Sequence, residues 1–295
     1  MWDRHDQVVV VMEINVETQF CGIIGNPVEH SLSPAIHNAA FRKLDLNYVY
    51  LAWRVESIGD AIRGLRALGN FRGASVTIPH KVSAIHFLDE VEPTARQIGA
   101  INTIVSEQGR LIGFNTDATG ALRALRDGGA TLSGQRIVML GSGGAARAIA
   151  FAVAVESKAD KLVLLGVDGK ERVALARDIQ SKTGVTVEEY ALDERALSRT
   201  LPEAQVLIHC TPVGMSPHPE ATCVPAELLH PGLAVMDIVY NPRETTLLKQ
   251  AKQSGCKTIS GLDMFLNQAV AQFELWTNRP APVEVMRAVL ESHFQ

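Results

Sequence analysis

A glycine-rich turn between an apolar strand and a helix is the first feature of this sequence that could do chemistry. The run RIVML ends at Leu140, and Gly141, Gly143 and Ala146 then form a G-x-G-x-x-A pattern that continues into a helical segment through Phe151. Glycines allow a tight turn and close backbone approach, while the N–H groups at a helix N-terminus attract a pyrophosphate. Because the strand and the helix are both present, the pattern favours dinucleotide binding over a merely structural turn.

Asp168 closes the next predicted strand, KLVLLGVD, 27 positions after Gly141. An acidic residue at this point accepts hydrogen bonds from the adenosine ribose and repels a 2′-phosphate, which favours NAD over NADP. The usual separation is about 20 residues, and an aspartate in a V-D-G-K turn can also be structural. Both interpretations of Asp168 remain open at this point.

Lys81 could supply acid–base chemistry, and Asp117 stands before a helix. Lys81 follows Pro79 in what reads as the first turn of a helix, where a cation opposes the helix dipole at a cost of about 0.3–1 kcal/mol. An amine there could serve as a general acid or base. The structural alternatives are a surface lysine whose stem covers apolar atoms and, for Asp117 at the start of a helix, an N-cap.

The stretch HSLSPAIHN contains two serines where one capping residue would start a helix. Ser33 followed by Pro34 predicts an N-cap and a first-turn proline. That pattern leaves Ser31 unexplained.

The length and net charge of the chain limit its number of domains and the partners it can have. The chain has 295 residues, enough for about two domains. Its net charge of −4 and the absence of a basic run argue against a nucleic-acid partner. No apolar stretch approaches the ~18 residues that a bilayer crossing requires, so we expect no membrane partner. Residues before Thr18 read as a tail, with Met12 as an alternative start.

The cysteines and histidines show no metal-binding spacing. The four cysteines, at positions 21, 210, 223 and 256, form no C-x-x-C pair, and the nine histidines include no H-E-x-x-H. We therefore expect no metal. Thiols scattered through an enzyme-sized chain are typical of a reducing, cytoplasmic location.

Strand-like runs alternate with helical patterns along most of the chain, which predicts an α/β protein with parallel sheets. One series contains FCGIIG, NYVYLAW, GASVTIP and AINTIV; a second contains QRIVML, KLVLLGVD, AQVLIHCTP, LAVMDIVY and CKTISG. The last segment, LDMFLNQAVAQFELW, places its apolar residues on one helical face. We expect two α/β lobes that face a cleft.

Taken together, several stretches resemble the shikimate dehydrogenase family, which includes quinate dehydrogenases. These stretches are GNPVEHSLSPAIHN, VTIPHK, GAINTI, GFNTDATG, GSGGAARA, TPVGM, DIVYNPRETTLL and GLDMFLNQAVAQFELW, in the family's order over about residues 20–277. The resemblance implies a substrate domain at 18–117, completed by 257–295, and a Rossmann-like NAD(P)-binding domain at 118–256. It also implies a C-terminal helix that returns to the first lobe.

The resemblance further implies reversible reduction of 3-dehydroshikimate to shikimate, by hydride transfer at C3, within the chorismate route of aromatic amino acid biosynthesis. Lys81 and Asp117 would be the catalytic pair. Ser31 and Ser33 would bind the substrate carboxylate with Tyr240 nearby, which would explain the second serine. The ring hydroxyls would contact Thr77, Lys81, Asn102, Asp117 and Gln268. The cofactor would contact Gly141, Ser142, Gly143, Gly144, Ala145, Asp168, Thr211, Val213 and Gly261.

This sequence departs from the family pattern at several positions. Val167 stands where NADP-dependent members carry an arginine for the 2′-phosphate, and Asp168 follows it, which favours NAD. Lys170 and Arg172 are the cations left for NADP. His209 stands in H-C-T where the family commonly reads N-A-T, near the expected nicotinamide. Ser75 and Ala118 replace a usual asparagine and glycine.

Alternatives remain open at this stage. One is a quinate/shikimate or aminoshikimate dehydrogenase of a catabolic or secondary pathway, and another is a ligand-sensing homologue without turnover. A monomer and a homodimer are both compatible with the sequence.

Overall fold

The computed structural model describes residues 13–157 and 161–294, so the alternative start at Met12 lies outside the described residues. The strands are β1 Gln19–Gly25, β2 Tyr48–Arg54, β3 Phe71–Val76, β4 Glu90–Val91, β5 Thr103–Glu107, β6 Arg110–Phe114, β7 Arg136–Leu140, β8 Lys161–Gly166, β9 Val187–Ala191, β10 Val206–His209, β11 Ala234–Asp237 and β12 Lys257–Ser260. The helices are α1 Ser33–Lys43, α2 Ile58–Arg66, α3 Pro93–Ile98, α4 Thr116–Asp127, α5 Gly144–Ser157, α6 Gly169–Thr183, α7 Glu194–Thr200, α8 Thr246–Gln253, α9 Gly261–Thr277 and α10 Val283–His293.

The first sheet has the order β2-β1-β3-β5-β6-β4 and is mixed. Strands β1, β2 and β3 run parallel, but β5 is antiparallel to both β3 and β6. The prediction of parallel strands was therefore wrong for this part of the first lobe. The reason is local: Gln108 and Gly109 link β5 to β6 with φ of 49° and 79°, and two positive φ angles in a two-residue loop make a tight antiparallel hairpin.

The second sheet has the order β12-β11-β10-β7-β8-β9, and all of its neighbouring strands are parallel. This is the doubly wound order, in which the chain moves outward from β7 in one direction and then from β10 in the other. The crevice between the carboxyl ends of β7 and β10 is the switch point where ligands bind in such folds. Because β12 pairs with β11, the second lobe extends to Ser260 rather than ending at residue 256.

Two helices hold the lobes together. The buried face of α4 packs into the core of the second lobe, where Ala121 and Leu125 meet Ile137 and Met139. Along the first lobe, α9 buries Phe273 and other apolar residues in the core that contains α1. An added Cβ at Gly120 of α4 would lie 2.9 Å from backbone atoms of α9, so the two helices touch closely. The predicted two-lobed α/β fold with a returning C-terminal helix is confirmed.

No helix in the described part of the chain combines the length and the apolarity that a bilayer crossing requires.

Candidate functional site

Lys81 and Asp117 meet in an ion pair although 36 positions separate them in the chain. The distance from Lys81 Nζ to Asp117 Oδ2 is 2.5 Å, and only 15% and 9% of the two side chains are exposed. Asp117 lies in the first turn of α4, whose N-cap is Asn115, so the capping alternative for Asp117 was wrong. Lys81 precedes a short 3-10 helix, Ser83–Phe87, instead of opening an α-helix. Lys81 therefore does not oppose the dipole of an α-helix, and that expectation was wrong as well.

Asn102 fixes the other oxygen of the same carboxylate. It stands directly before β5, and its Nδ2 donates to Asp117 Oδ1 at 2.8 Å. Its own Oδ1 accepts the N–H of Thr116 at 2.7 Å and the hydroxyl of Thr103 at 2.8 Å. The Asp117 carboxylate is thus held at both oxygens, one by an amide and one by an ammonium group.

A buried polar chain, which the sequence analysis missed, continues from Asn102 into the first lobe. Gln272 of α9 is 1% exposed, and its Nε2 donates to Thr103 Oγ1 at 3.0 Å. Its Oε1 accepts the hydroxyl of Ser75 at 2.8 Å, and Ser75 Oγ lies 2.6 Å from Tyr50 OH. The signal available in the sequence was a second glutamine, four residues after Gln268, inside an otherwise apolar helix face.

The two serines of the HSLSPAIHN stretch have local roles that differ from the prediction. Ser33 is the first residue of α1 rather than its N-cap, and the N-cap position is held by Leu32 without a side-chain hydrogen bond. Ser31 Oγ instead accepts the N–H of Ser33 at 3.3 Å. The helix thus begins one residue before the predicted first helical position, Pro34. It follows the turn 28–31, which the bond from Ser31 N to Val28 O closes. Ser33 is buried, with 2% exposure.

The other predicted substrate-binding residues are Tyr240, Gln268 and Thr77. Tyr240 packs against Phe265 of α9 with the rings tilted by 33° and their centroids 4.8 Å apart, beside the apolar cluster that contains Leu32. Burial raises the pKa of the Tyr240 phenol, so the hydroxyl is a neutral donor. Gln268 is 8% exposed and donates to Phe265 O at 2.9 Å. Thr77 follows β3, and its N–H donates to Ile24 O at 2.9 Å, at the end of the neighbouring strand.

The glycine turn fits a dinucleotide. Gly141 has φ of 108°, and a Cβ there would lie 2.7 Å from Cys210 O, so the turn requires glycine. A Cβ at Gly143 would meet nothing within 4 Å, which leaves the backbone open to a ligand. A Cβ at Gly144, the first residue of α5, would lie 3.8 Å from Cδ of Lys81. The predicted cofactor turn and the predicted catalytic lysine are therefore neighbours across the two lobes.

Asp168 caps α6. Its Oδ1 accepts the N–H groups of Lys170 and Glu171 at 2.8 and 2.9 Å. These bonds, led by the one from Glu171, hold the pKa of the Asp168 carboxyl below its usual range, so the side chain is negatively charged. Arg172 is engaged nearby, since it pairs with Glu189 and donates to Gly166 O at 2.7 Å. Ser142 lies on the same side, where a Cβ on Gly166 would come within 3.1 Å of its hydroxyl.

The remaining predicted cofactor residues follow other strands of the second sheet. Thr211 and Val213 come after β10, where Thr211 Oγ1 accepts the N–H of Val213 at 3.2 Å. Gly261 opens α9 directly after β12, and a Cβ there would lie 2.4 Å from Ile238 O. Ala145 lies within the first turn of α5. All of these residues follow the carboxyl ends of parallel strands, which place them at one edge of the sheet.

Neither a metal centre nor the main cavity coincides with the ion pair in the described part of the chain. Within residues 13–157 and 161–294, no three His, Cys, Asp or Glu side chains converge as metal ligands. A cavity of about 870 Å³ lies against α4, α5 and α9, and its lining includes Asn115 and Thr116 but neither Lys81 nor Asp117. The Lys81–Asp117 pair is largely buried and lies beside the glycine turn, so this region is the candidate active site.

The doubly wound sheet, the glycine turn and the adjoining lysine–carboxylate pair are together typical of two-lobed, nucleotide-dependent oxidoreductases. Residues 23–104 match the shikimate dehydrogenase substrate binding domain, and residues 261–291 match the shikimate 5'-dehydrogenase C-terminal domain. The chain belongs to the shikimate dehydrogenase family, and the predicted resemblance is confirmed.

Similar proteins extend over nearly the whole chain. The shikimate dehydrogenase (NADP(+)) of Methanopyrus kandleri is 45% identical over 97% of this chain and 99% of its own. A shikimate dehydrogenase crystallised with NADP+ is 39% identical, with a TM-score of 0.89, covering 97% of this chain and 99% of its own. The shikimate 5-dehydrogenase of Listeria monocytogenes, in complex with shikimate and NAD, is 36% identical with a TM-score of 0.89, covering 95% and 99%.

Proposed function

We propose that this protein is a shikimate dehydrogenase that reversibly reduces 3-dehydroshikimate to shikimate, in the cytoplasm and on the route to chorismate. The observation that carries the proposal is the Lys81–Asp117 pair, 2.5 Å apart and largely buried, with the lysine stem against Gly144 of the dinucleotide turn. A nicotinamide cofactor, when bound, supplies or accepts the hydride at C3. The four cysteines are free thiols, which supports the cytoplasmic location.

The proton part of the reaction falls to Lys81. When the ketone is reduced, carbon gains a hydride and the carbonyl oxygen needs a proton, which the Lys81 ammonium donates. In the oxidative direction the neutral amine accepts the proton of the alcohol. Asp117 fixes the ammonium by the ion pair and is itself fixed by Asn102, so the donor is oriented before the substrate binds.

The substrate polar groups are divided between two regions of the first lobe. We assign the carboxylate to the hydroxyls of Ser31 and Ser33 at the start of α1, with Tyr240 beside them, because neutral hydroxyl donors and a helix N-terminus suit an anion. The ring hydroxyls are assigned to the predicted polar set around the ion pair, which consists of Thr77, Lys81, Asn102, Asp117 and Gln268.

For the cofactor, we infer a preference for NAD over NADP. Val167, at the tip after β8, is 86% exposed and carries no charge, and the Arg172 guanidinium is held by Glu189 and Gly166. The negative charge of Asp168 stands at this point, where it would accept from ribose hydroxyls and repel a 2′-phosphate. Lys170 is the exposed cation that could oppose this preference.

Asp168→Asn tests the preference because asparagine caps a helix about as well as aspartate. The ratio of kcat/KM with NAD to kcat/KM with NADP should fall by about 5-fold, since a surface charge pair is worth roughly 1 kcal/mol. Asp193→Asn, which changes the analogous cap of α7, should leave the ratio unchanged. A wild-type enzyme that is more efficient with NADP would refute the inference.

The proposed activity is tested by steady-state oxidation of shikimate and of quinate, each with NAD and with NADP. The proposal requires the highest kcat/KM with shikimate. Faster oxidation of quinate would instead indicate the catabolic alternative. Binding of shikimate and cofactor with no formation of reduced cofactor would indicate a ligand-sensing protein, and either result would refute the proposal.

A further inference from the structure

His209 and Asp237 form a buried charged pair at the carboxyl end of β10, beside the predicted nicotinamide site. His209 is 2% exposed and Asp237 is fully buried. The imidazole Nδ1 lies 2.8 Å from Asp237 Oδ1. The same Oδ1 accepts the N–H of Val239 at 3.0 Å, and Oδ2 accepts the hydroxyl of Thr245 at 2.6 Å. A carboxylate at this depth is costly unless a cation accompanies it.

The imidazole is that cation. Burial by itself lowers the pKa of His209, but the hydrogen bond and charge of Asp237, together with Cys223, raise it to about 9. The titratable groups that act on the ring are Asp237 on β11 and Cys223, and Cys210 adjoins His209 in the chain. Burial raises the pKa of the Cys210 thiol, which is therefore neutral. Asp237 is thus the anion that balances the imidazolium.

The charge of His209 decides how the Thr211 hydroxyl can be used. Nε2 of His209 lies 2.5 Å from Thr211 Oγ1, and the same oxygen accepts the N–H of Val213 at 3.2 Å. A hydroxyl oxygen has two acceptor positions and one hydrogen. An imidazolium and Val213 fill both acceptor positions, so the hydrogen must be directed away from the ring. A neutral imidazole protonated at Nδ1 would instead take that hydrogen at Nε2.

We propose that His209 is a positioning residue which, as an imidazolium held by Asp237, presents the Thr211 hydroxyl as a donor to the carboxamide oxygen of the nicotinamide. The inference deepens the proposed function and rests on it. Thr211 is half-buried, next to exposed Pro212, so its hydrogen can reach a ligand. The strand that carries His209 borders β7 and its glycine turn at the switch point of the sheet.

The first measurement is made on the free enzyme. Nitrogen NMR of the histidine side chains, assigned with His209→Asn, should show a doubly protonated His209 ring at pH 7 and a neutral ring in Asp237→Asn. A neutral ring in the wild-type protein at pH 7 would overturn the proposal.

The second measurement is the dissociation constant of the reduced cofactor, NADH or NADPH, from its fluorescence. Thr211→Val removes the hydroxyl at nearly constant volume and should weaken binding about 3- to 10-fold, as expected for one hydrogen bond. Thr211→Ser keeps the hydroxyl and should restore the affinity. Asp237→Asn should weaken binding by a similar factor and add little to Thr211→Val.

The pH dependence separates this role from general structural damage. Wild-type affinity should fall as the pH rises through about 9, where His209 loses its proton, whereas Thr211→Val should not show that fall. Equal affinities in Thr211→Val and Thr211→Ser would overturn the inference, even if Asp237→Asn does not fold. Intact cofactor binding without shikimate oxidation would refute the proposed function alone, and failure of the wild-type protein to bind either cofactor would refute both.

Discussion

Replacing Lys81 by methionine separates the catalytic role of the ion pair from its structural role. Lys81→Met keeps a stem of the same length as the lysine methylenes but removes the ammonium group 2.5 Å from Asp117 Oδ2. Breaking a buried pair costs about 3–5 kcal/mol. Here Asp117 keeps the Asn102 bond and is 9% exposed, so we expect a loss of about 2–3 kcal/mol in the free energy of unfolding.

The double variant Lys81→Met/Asp117→Asn is the matched control. It removes both charges, and a neutral amide needs no cation, so the free energy of unfolding should return to within about 1 kcal/mol of wild type. Without a proton donor, however, kcat should remain about 10²- to 10⁴-fold below wild type in both variants.

Urea unfolding and steady-state oxidation of shikimate measure the two quantities on the same preparations. In thermal unfolding, the same loss of stability in Lys81→Met should lower the melting temperature by about 4–12 °C. Two results would refute this reasoning. One is near-normal turnover in Lys81→Met; the other is recovery of turnover along with stability in the double variant, which would make the role of Lys81 purely structural.

Three further predictions concern stability. Because the pKa of His209 is raised from 6.5 to about 9, its stabilising contribution is complete below pH 6.5 and disappears as the pH rises through about 9; urea midpoints should therefore fall over this range, and less so in His209→Asn. Gly73→Ala would place a Cβ 2.3 Å from Trp276 Nε1 and should cost about 1–3 kcal/mol by thermal unfolding, whereas Gly64→Ala, with open space around it in α2, should be neutral or stabilising. Gln272→Leu removes the hydrogen bonds that the amide makes to buried Ser75 and Thr103. The free energy of unfolding in urea should therefore fall by about 1–3 kcal/mol; unchanged midpoints would show that these bonds contribute no net stability.

Much of the fold could be predicted because its signals are local. The glycine turn was recognisable because the strand, the turn and the helix adjoin in the chain, and the buried parallel strands β7, β8, β10 and β11 read as continuous apolar runs. The weaker strands were less visible: β9 contains VEEYA, with two glutamates, and the hairpin of β5 and β6 depended on two positive φ angles at a Gln-Gly pair.

The candidate site could be predicted only in part from the sequence, because its geometry is not local. Ser31, Ser33 and Lys81 were identifiable by motif, but their local geometry depends on where each helix begins, and the structure moved the start of α1 to Ser33 and replaced a helix at Lys81 by a turn. Gln272 was missed because a buried glutamine is recognisable only when its partners are known, and Ser75 and Thr103 are about 170 or more positions away.

The sequence by itself determined the identity of the reactive groups, the order of the motifs and the family to which the chain belongs. Only the tertiary structure decided that the ammonium of Lys81 and the carboxylate of Asp117 meet at 2.5 Å beside Gly144, and that the imidazole of His209 shares a buried carboxylate with Thr245. The physical reason is that charge pairing and hydrogen bonding act over a few ångströms, and those distances between remote residues exist only after the two sheets and the connecting helices have packed.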